Sequence, residues 1–172
     1  MAARQGQYAI LRKLIKKSAD VNVCTSDGGS VFKILASDDS LKARNILKLM
    51  LAHDADPTLS DAQGFSTIHN ASSRDNLPLV KFLIETAKVP VNTPLSEFNE
   101  GYYQTPILIA LSYGQSKVAN YLFDQGGSLN KGQNTKSSFS AIFLGALDNE
   151  LSSPLKLLYR GYCQLVEPIL NL

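Results

Sequence analysis

Apolar residues return along this chain in one pattern, four times. Ile10-Leu11-Arg12-Lys13-Leu14-Ile15, Ile46-Leu47-Lys48-Leu49-Met50-Leu51, Leu79-Val80-Lys81-Phe82-Leu83-Ile84 and Val118-Ala119-Asn120-Tyr121-Leu122-Phe123 each put apolar side chains on their first, second, fifth and sixth places. At 3.6 residues per turn this spacing gathers them on one stripe, so each segment predicts an amphipathic helix with one buried face. Shorter helical stretches precede them. A Gly-containing turn or a small polar residue suited to capping a first turn introduces these, at Asp27-Gly28-Gly29-Ser30, Gln63-Gly64-Phe65-Ser66 and Gln104-Thr105-Pro106.

Three of the longer helices run into related endings: Ala19-Asp20-Val21-Asn22, Ala55-Asp56-Pro57-Thr58 and Gly127-Ser128-Leu129-Asn130. The unit is therefore turn, short helix, loop, longer helix, loop, recurring about every 33 to 38 residues.

These residues resemble the ankyrin repeat family, whose pattern runs Gly, Thr, Pro-Leu-His, two small residues, Gly, an apolar helix, then Gly-Ala-Asp-Val-Asn. Thr105-Pro106-Ile107-Leu108-Ile109-Ala110-Leu111 with Gly114, and Gly64-Phe65-Ser66-Thr67-Ile68-His69-Asn70-Ala71, carry the first half. Ala2-Ala3, Gly6 and Ala19-Asp20-Val21-Asn22 supply the second half of an opening repeat. The resemblance implies an all-α ankyrin-repeat solenoid of stacked helix-turn-helix units with connecting β-hairpin loops. It is read as a single domain over 1–172: a partial repeat 1–26, then 27–62, 63–92, 93–132 with a long hairpin, and a degenerate terminal repeat 133–172.

Departures from the pattern are specific. About three extra residues stand between the helices of the second repeat, around Asp38 to Lys42. The third repeat is about one residue longer than the pattern at Lys88-Val89-Pro90-Val91-Asn92, and the next hairpin is stretched by about five over Thr93 to Tyr103. Pro154 stands near where a fifth repeat would begin its second helix. The chain opens inside a repeat and closes on apolar Val166 to Leu172 without a polar cap, so a fragment of a larger protein, or an end covered by something else, is the expectation.

Composition narrows the function. An apolar fraction of 44% with 19% charged residues suits a folded soluble domain rather than a disordered chain. Net charge is +2, concentrated at Arg12, Lys13, Lys16 and Lys17 on the first helix. That cluster reads first as a solvated face and second as an attraction for an acidic partner. Neither nucleic-acid binding nor a small-molecule substrate is indicated, and no apolar run reaches the roughly 18 residues of a membrane span. Cys24 and Cys163 are the only two cysteines, too few for a disulfide framework or a cysteine zinc site, so a cytoplasmic or nuclear location is expected. His53 and His69 fall in different repeats, and no nucleophile motif or phosphate loop appears. The expectation is a non-enzyme without cofactor or metal whose partner is another protein.

By correspondence with the family, hairpin tips and first helices form the contact face. That nominates Phe65, Thr67, Arg74, Asp75, Gln104, Tyr113 and Gln115, with Phe98, Tyr102 and Tyr103 on the long hairpin. The hairpin aromatics fit either an interface anchor or a cover for a satellite core. Phe32, Phe82, Phe123 and Phe143 fall on helical stripes and read as core. The resemblance further implies a structural hydrogen-bonding role for His69. It also nominates Asn22 and Asn130 for asparaginyl hydroxylation, each with a Leu eight residues earlier (Leu14, Leu122), alongside the simpler role of bracing the hairpin.

Overall fold

The computed structural model describes residues 2–25, 28–95 and 105–128. Over these the chain is a row of short helices: α1 (Tyr8–Lys16), α2 (Val31–Ala36), α3 (Leu41–Leu51), α4 (Thr67–Ser73), α5 (Leu77–Lys81), α6 (Pro106–Ser112) and α7 (Ser116–Asp124). α2 packs on α3, α4 on α5, and α6 on α7. Successive units then stack, α1 on α3, α2 on α4, α4 on α6 and α5 on α7. This is the expected helical solenoid. Phe143 and the 133–172 segment lie outside the described residues.

Helices α2, α3 and α5 start where a polar side chain takes up an orphan N–H of the first turn. The Ser30 hydroxyl accepts from the Lys33 N–H at 3.2 Å, Ser40 from Ala43 at 3.1 Å, and the Asn76 side chain from Leu79 at 3.0 Å. Pro106 opens α6, where the N–H it lacks would have had no helical partner. The long helices stop at residues with positive φ: Ser18 (60°), Asp54 (62°), Lys88 (57°) and Gly126 (86°).

One apolar cluster runs unbroken from Leu11 to Leu122, through Phe32, Leu47, Ile68, Leu83 and Ile107. Each large side chain buried there contributes roughly 1.5–3 kcal/mol. Phe32 and Phe82 are core as expected, while Phe123 is only half-buried against the cluster. Ile10 and Leu14 stay about half exposed, at 47% and 46%, because no described helix covers that side of α1.

The described hairpins are turns rather than ribbons. Among the described residues the only β pairing is one antiparallel bridge, Cys24 to Ser30, since the arms are too short for a ladder. Gly28 makes its turn at φ +77°, and a Cβ there would meet the Ala62 backbone nitrogen at 2.8 Å, so the next hairpin can nest only against a glycine.

The irregular repeats absorb their extra residues differently. In the second repeat they form the loop Ser37–Ser40. Asp38 there accepts from the Tyr8 hydroxyl of the repeat before, and Asp39 from the Asn76 amide of the repeat after, at 2.8 Å. In the third repeat the surplus residue lies inside the second helix: α5 continues into a π-helical turn, Phe82–Thr86, and the ending Lys88–Asn92 keeps the register of the others. Ala87 N–H bonds to Phe82 O at 3.0 Å, five residues back, so the bulge lets the helix gain a residue without displacing the hairpin.

Candidate functional site

α2 packs on α4 less extensively than α4 packs on α6, and a groove of about 540 Å³ runs along their seam. Thr67, Asn70 and Arg74 line it from α4 and its C-cap, at i, i+3 and i+7. Lys33 and Ala36 line it from α2, and Asp39 and Asp75 from the loops beyond. Sequence reasoning nominated Thr67, Arg74 and Asp75, and the structure brings these three together. It missed Asn70, Asp39 and Arg44, although Thr67, Asn70 and Arg74 fall at i, i+3 and i+7, a spacing that puts them on one helix face and was a readable signal.

Two of the cations lining the seam, Lys33 and Arg44, are already engaged. The Lys33 ammonium pairs with Asp61 and donates to Phe65 O at 2.7 Å. Arg44 donates to Pro78 O at 3.1 Å and lies 5.3 Å from the centre of the Phe82 ring. Burial works against the Asp61 charge, yet the Lys33 ammonium and the N–H groups of Phe65 and Gln63 outweigh it, holding this carboxyl below its ordinary range. Two polar atoms of the lining are buried without a partner, Thr67 Oγ1 and Asp75 Oδ1. Each such group costs about 1–3 kcal/mol and is uncommon in a folded chain.

The other nominated residues are spread along the stack. Phe65 is half-buried with its ring edge-on to His69, the centroids 6.2 Å apart. Tyr113 occupies in the fourth repeat the place Arg74 holds in the third, each the C-cap of a first helix, and is 61% exposed. The Gln115 amide ties α7 to the repeat before by donating to Ser73 O at 2.9 Å. Phe98, Tyr102, Tyr103, Gln104 and Asn130 lie outside the described residues.

Two polar residues serve the stack itself. His69 is fully buried. Its Nδ1 accepts from Ser66 N–H at 3.2 Å, which leaves the proton on Nε2 to be donated to Thr93 O at 3.0 Å, in the next hairpin. Asn22 donates to Asp54 O at 3.0 Å and accepts from Asp56 N–H at 2.7 Å, clamping one hairpin to the next. Asn92 repeats both bonds on Gly126 and Ser128, at 3.1 and 2.7 Å. Between those seams the clamp is missing: Thr58 stands at the asparagine position and Pro90, which has no N–H, at the donor position.

Among the described residues no group of three or more His, Cys, Asp or Glu is placed to hold a metal, and no helix is long and apolar enough to cross a membrane. The family model for ankyrin repeats (3 copies) matches residues 1–93 and again 34–133. The chain belongs to the ankyrin repeat family, whose repeats are protein-interaction modules and are generally non-catalytic. Palmitoyltransferase akr1 of Neurospora crassa is 33% identical over 79 residues, 46% of this chain and 11% of that protein. Ankyrin repeat and SOCS box protein 3 of Homo sapiens is 29% identical over 100 residues, 56% of this chain and 19% of its own length. E3 ubiquitin-protein ligase KEG of Arabidopsis thaliana is 27% identical over 97 residues, 56% of this chain and 6% of the ligase. The chain thus spans less than a fifth of each relative.

Proposed function

We propose that this chain is a non-catalytic adaptor that binds another protein through the face carrying its first helices and hairpin tips. The observation behind this reading is the polar groove between the second and third repeats, continued by the exposed Tyr113 at the equivalent place of the fourth. A packed solenoid needs no such opening for its own stability. On this reading the aromatic residues Phe98, Tyr102 and Tyr103, between the third and fourth repeats, supply a second contact. Cys24 is an exposed free thiol, which supports a reducing cytoplasmic or nuclear setting.

A second reading is that the chain recruits substrates within a larger ubiquitin ligase. The name of the Arabidopsis relative and the small share of each relative that the chain covers support it. In both readings the partner is a protein, so one experiment serves. Proteins captured from lysate are compared for the unmodified chain, for Arg74→Ala with Tyr113→Ala, and for the back-face control Arg12→Ala with Lys16→Ala. Loss of a specific protein with the first variant alone is expected. Loss with the control alone, or with neither, overturns the assignment of the contact face.

A further inference from the structure

On that protein-binding reading, the chemistry of the groove narrows what enters it. With Lys33 paired to Asp61, and Arg44 held by Pro78 O and the Phe82 ring, the ionised groups left for a ligand are Asp39, Asp75 and Arg74. Arg74 is exposed and reaches solvent at the rim. The two carboxylates lie at one end, joined by Asn76, which follows Asp75 in the chain and donates to Asp39 Oδ1 at 2.8 Å. Asp39 thus keeps its Oδ2 for a donor. Asp75 Oδ1 has no partner among the described residues, and a carboxylate oxygen can only accept; being buried, it meets an incoming N–H or O–H only as the side chains over it shift. Thr67, eight residues before Asp75 in the chain, is only 2% exposed and its hydroxyl is buried without a partner. Ala36 and Ala71 also line the groove, with small apolar side chains that leave room beside them.

We propose that the groove receives one lysine or arginine side chain from an extended segment of the partner, its cationic head between Asp39 and Asp75 and its methylene stem against Ala36 and Ala71. The missing clamp makes room for it. The seams that Asn22 and Asn92 hold are each clamped by a side-chain amide that both donates and accepts, whereas the seam with Thr58 and Pro90 lacks that clamp and is tied at the groove's border by Lys33, Arg44 and Asn76, whose side chains can shift as a ligand seats. An incoming cation also supplies the donor that Asp75 lacks, so binding removes an unfavourable burial already present in the free chain.

The test is a titration of the isotopically labelled full chain with acetyl-Ala-Ala-Lys-Ala-Ala-amide, and with the same peptide carrying Glu or Ala at the centre. Saturable NMR shifts at the amides of Asn70, Asp75 and Asn76 are expected with the Lys peptide only. Asp75→Asn, which keeps a side chain tolerant of the left-handed conformation, should weaken that binding at least about fivefold with an unchanged melting temperature. The inference is overturned by equal binding of the Ala peptide, by tighter binding of the Glu peptide, by the absence of saturable shifts, or by Asp75→Asn binding as well as the parent. A partner captured through Arg74 and Tyr113 yet indifferent to Asp75→Asn overturns the cation assignment alone and leaves protein binding standing.

Discussion

Lys88 illustrates how one residue can carry a cost that the fold imposes. It ends its helix at φ 57°, the position that Gly126 fills one repeat later at 86°. A Cβ in this region crowds the following carbonyl by about 1–2 kcal/mol, while glycine's greater freedom in the unfolded chain returns roughly 0.5–1 kcal/mol of that. Lys88→Gly should therefore raise the stability measured by urea unfolding by up to about 1 kcal/mol. Gly126→Lys should lose a similar amount, since nothing lies within 4 Å of a Cβ there and only the backbone would object. Tyr121 carries an electrostatic counterpart. Burial, then its 3.0 Å hydrogen bond to Glu85 and that carboxylate's charge, push its hydroxyl up to about 12. Because the folded value lies above the ordinary 10.0, the contribution is complete below pH 10 and is lost as pH rises from there toward 12. Glu85→Gln should shift the tyrosinate absorbance titration of this residue downward, with Tyr121→Phe identifying its signal. An unmoved curve would mean that burial alone sets the value.

Between elements, the asparagine clamps give the stack its spacing. Asn22→Ala leaves Asp54 O and Asp56 N–H to water, and Asn92→Ala does the same to Gly126 and Ser128. Each should cost about 1 kcal/mol, and the two losses should add because the sites share no partner. Thermal unfolding of the two single variants and the double variant checks this, and a double variant no worse than one single would contradict independent seams. The asparagine at Asn22 was legible in the sequence, and so was the helical unit, because a 3.6-residue stripe and a recurring ending are local signals. The π-helical turn was not. The surplus residue in the third repeat showed in the count, but whether it swelled the loop or the helix depends on the packing of Phe82 and Leu83 against the core, which no local pattern encodes. The groove was half legible for a related reason. Thr67, Arg74 and Asp75 follow from repeat register, whereas Asp39 enters only because the enlarged second loop turns back toward Asn76.

Across the whole molecule, the order of contacts is linear: α1 meets α3, α2 meets α4, α4 meets α6 and α5 meets α7, and the described first and last units do not touch in that chain of packing. Stability in such a stack is close to a sum of unit and nearest-neighbour terms, so damage at an end should stay near that end. Ile15 and Leu47 test this, being 5% and 1% exposed on neighbouring units. Either truncation to Ala removes about 2–5 kcal/mol of local packing. Ile15→Ala should strip hydrogen-exchange protection from α1 while leaving α6 and α7 as they were, because α1 rests on α3 at one edge of the described core. Leu47→Ala strikes the helix that both α1 and α2 pack on, and should lower protection on both sides of the groove and bring down the main melting transition. If Ile15→Ala instead weakened α7 as much as α1, the stack would be folding as one indivisible unit. Opening of the α2–α4 seam to admit a ligand would then be felt along its whole length rather than at the second and third repeats.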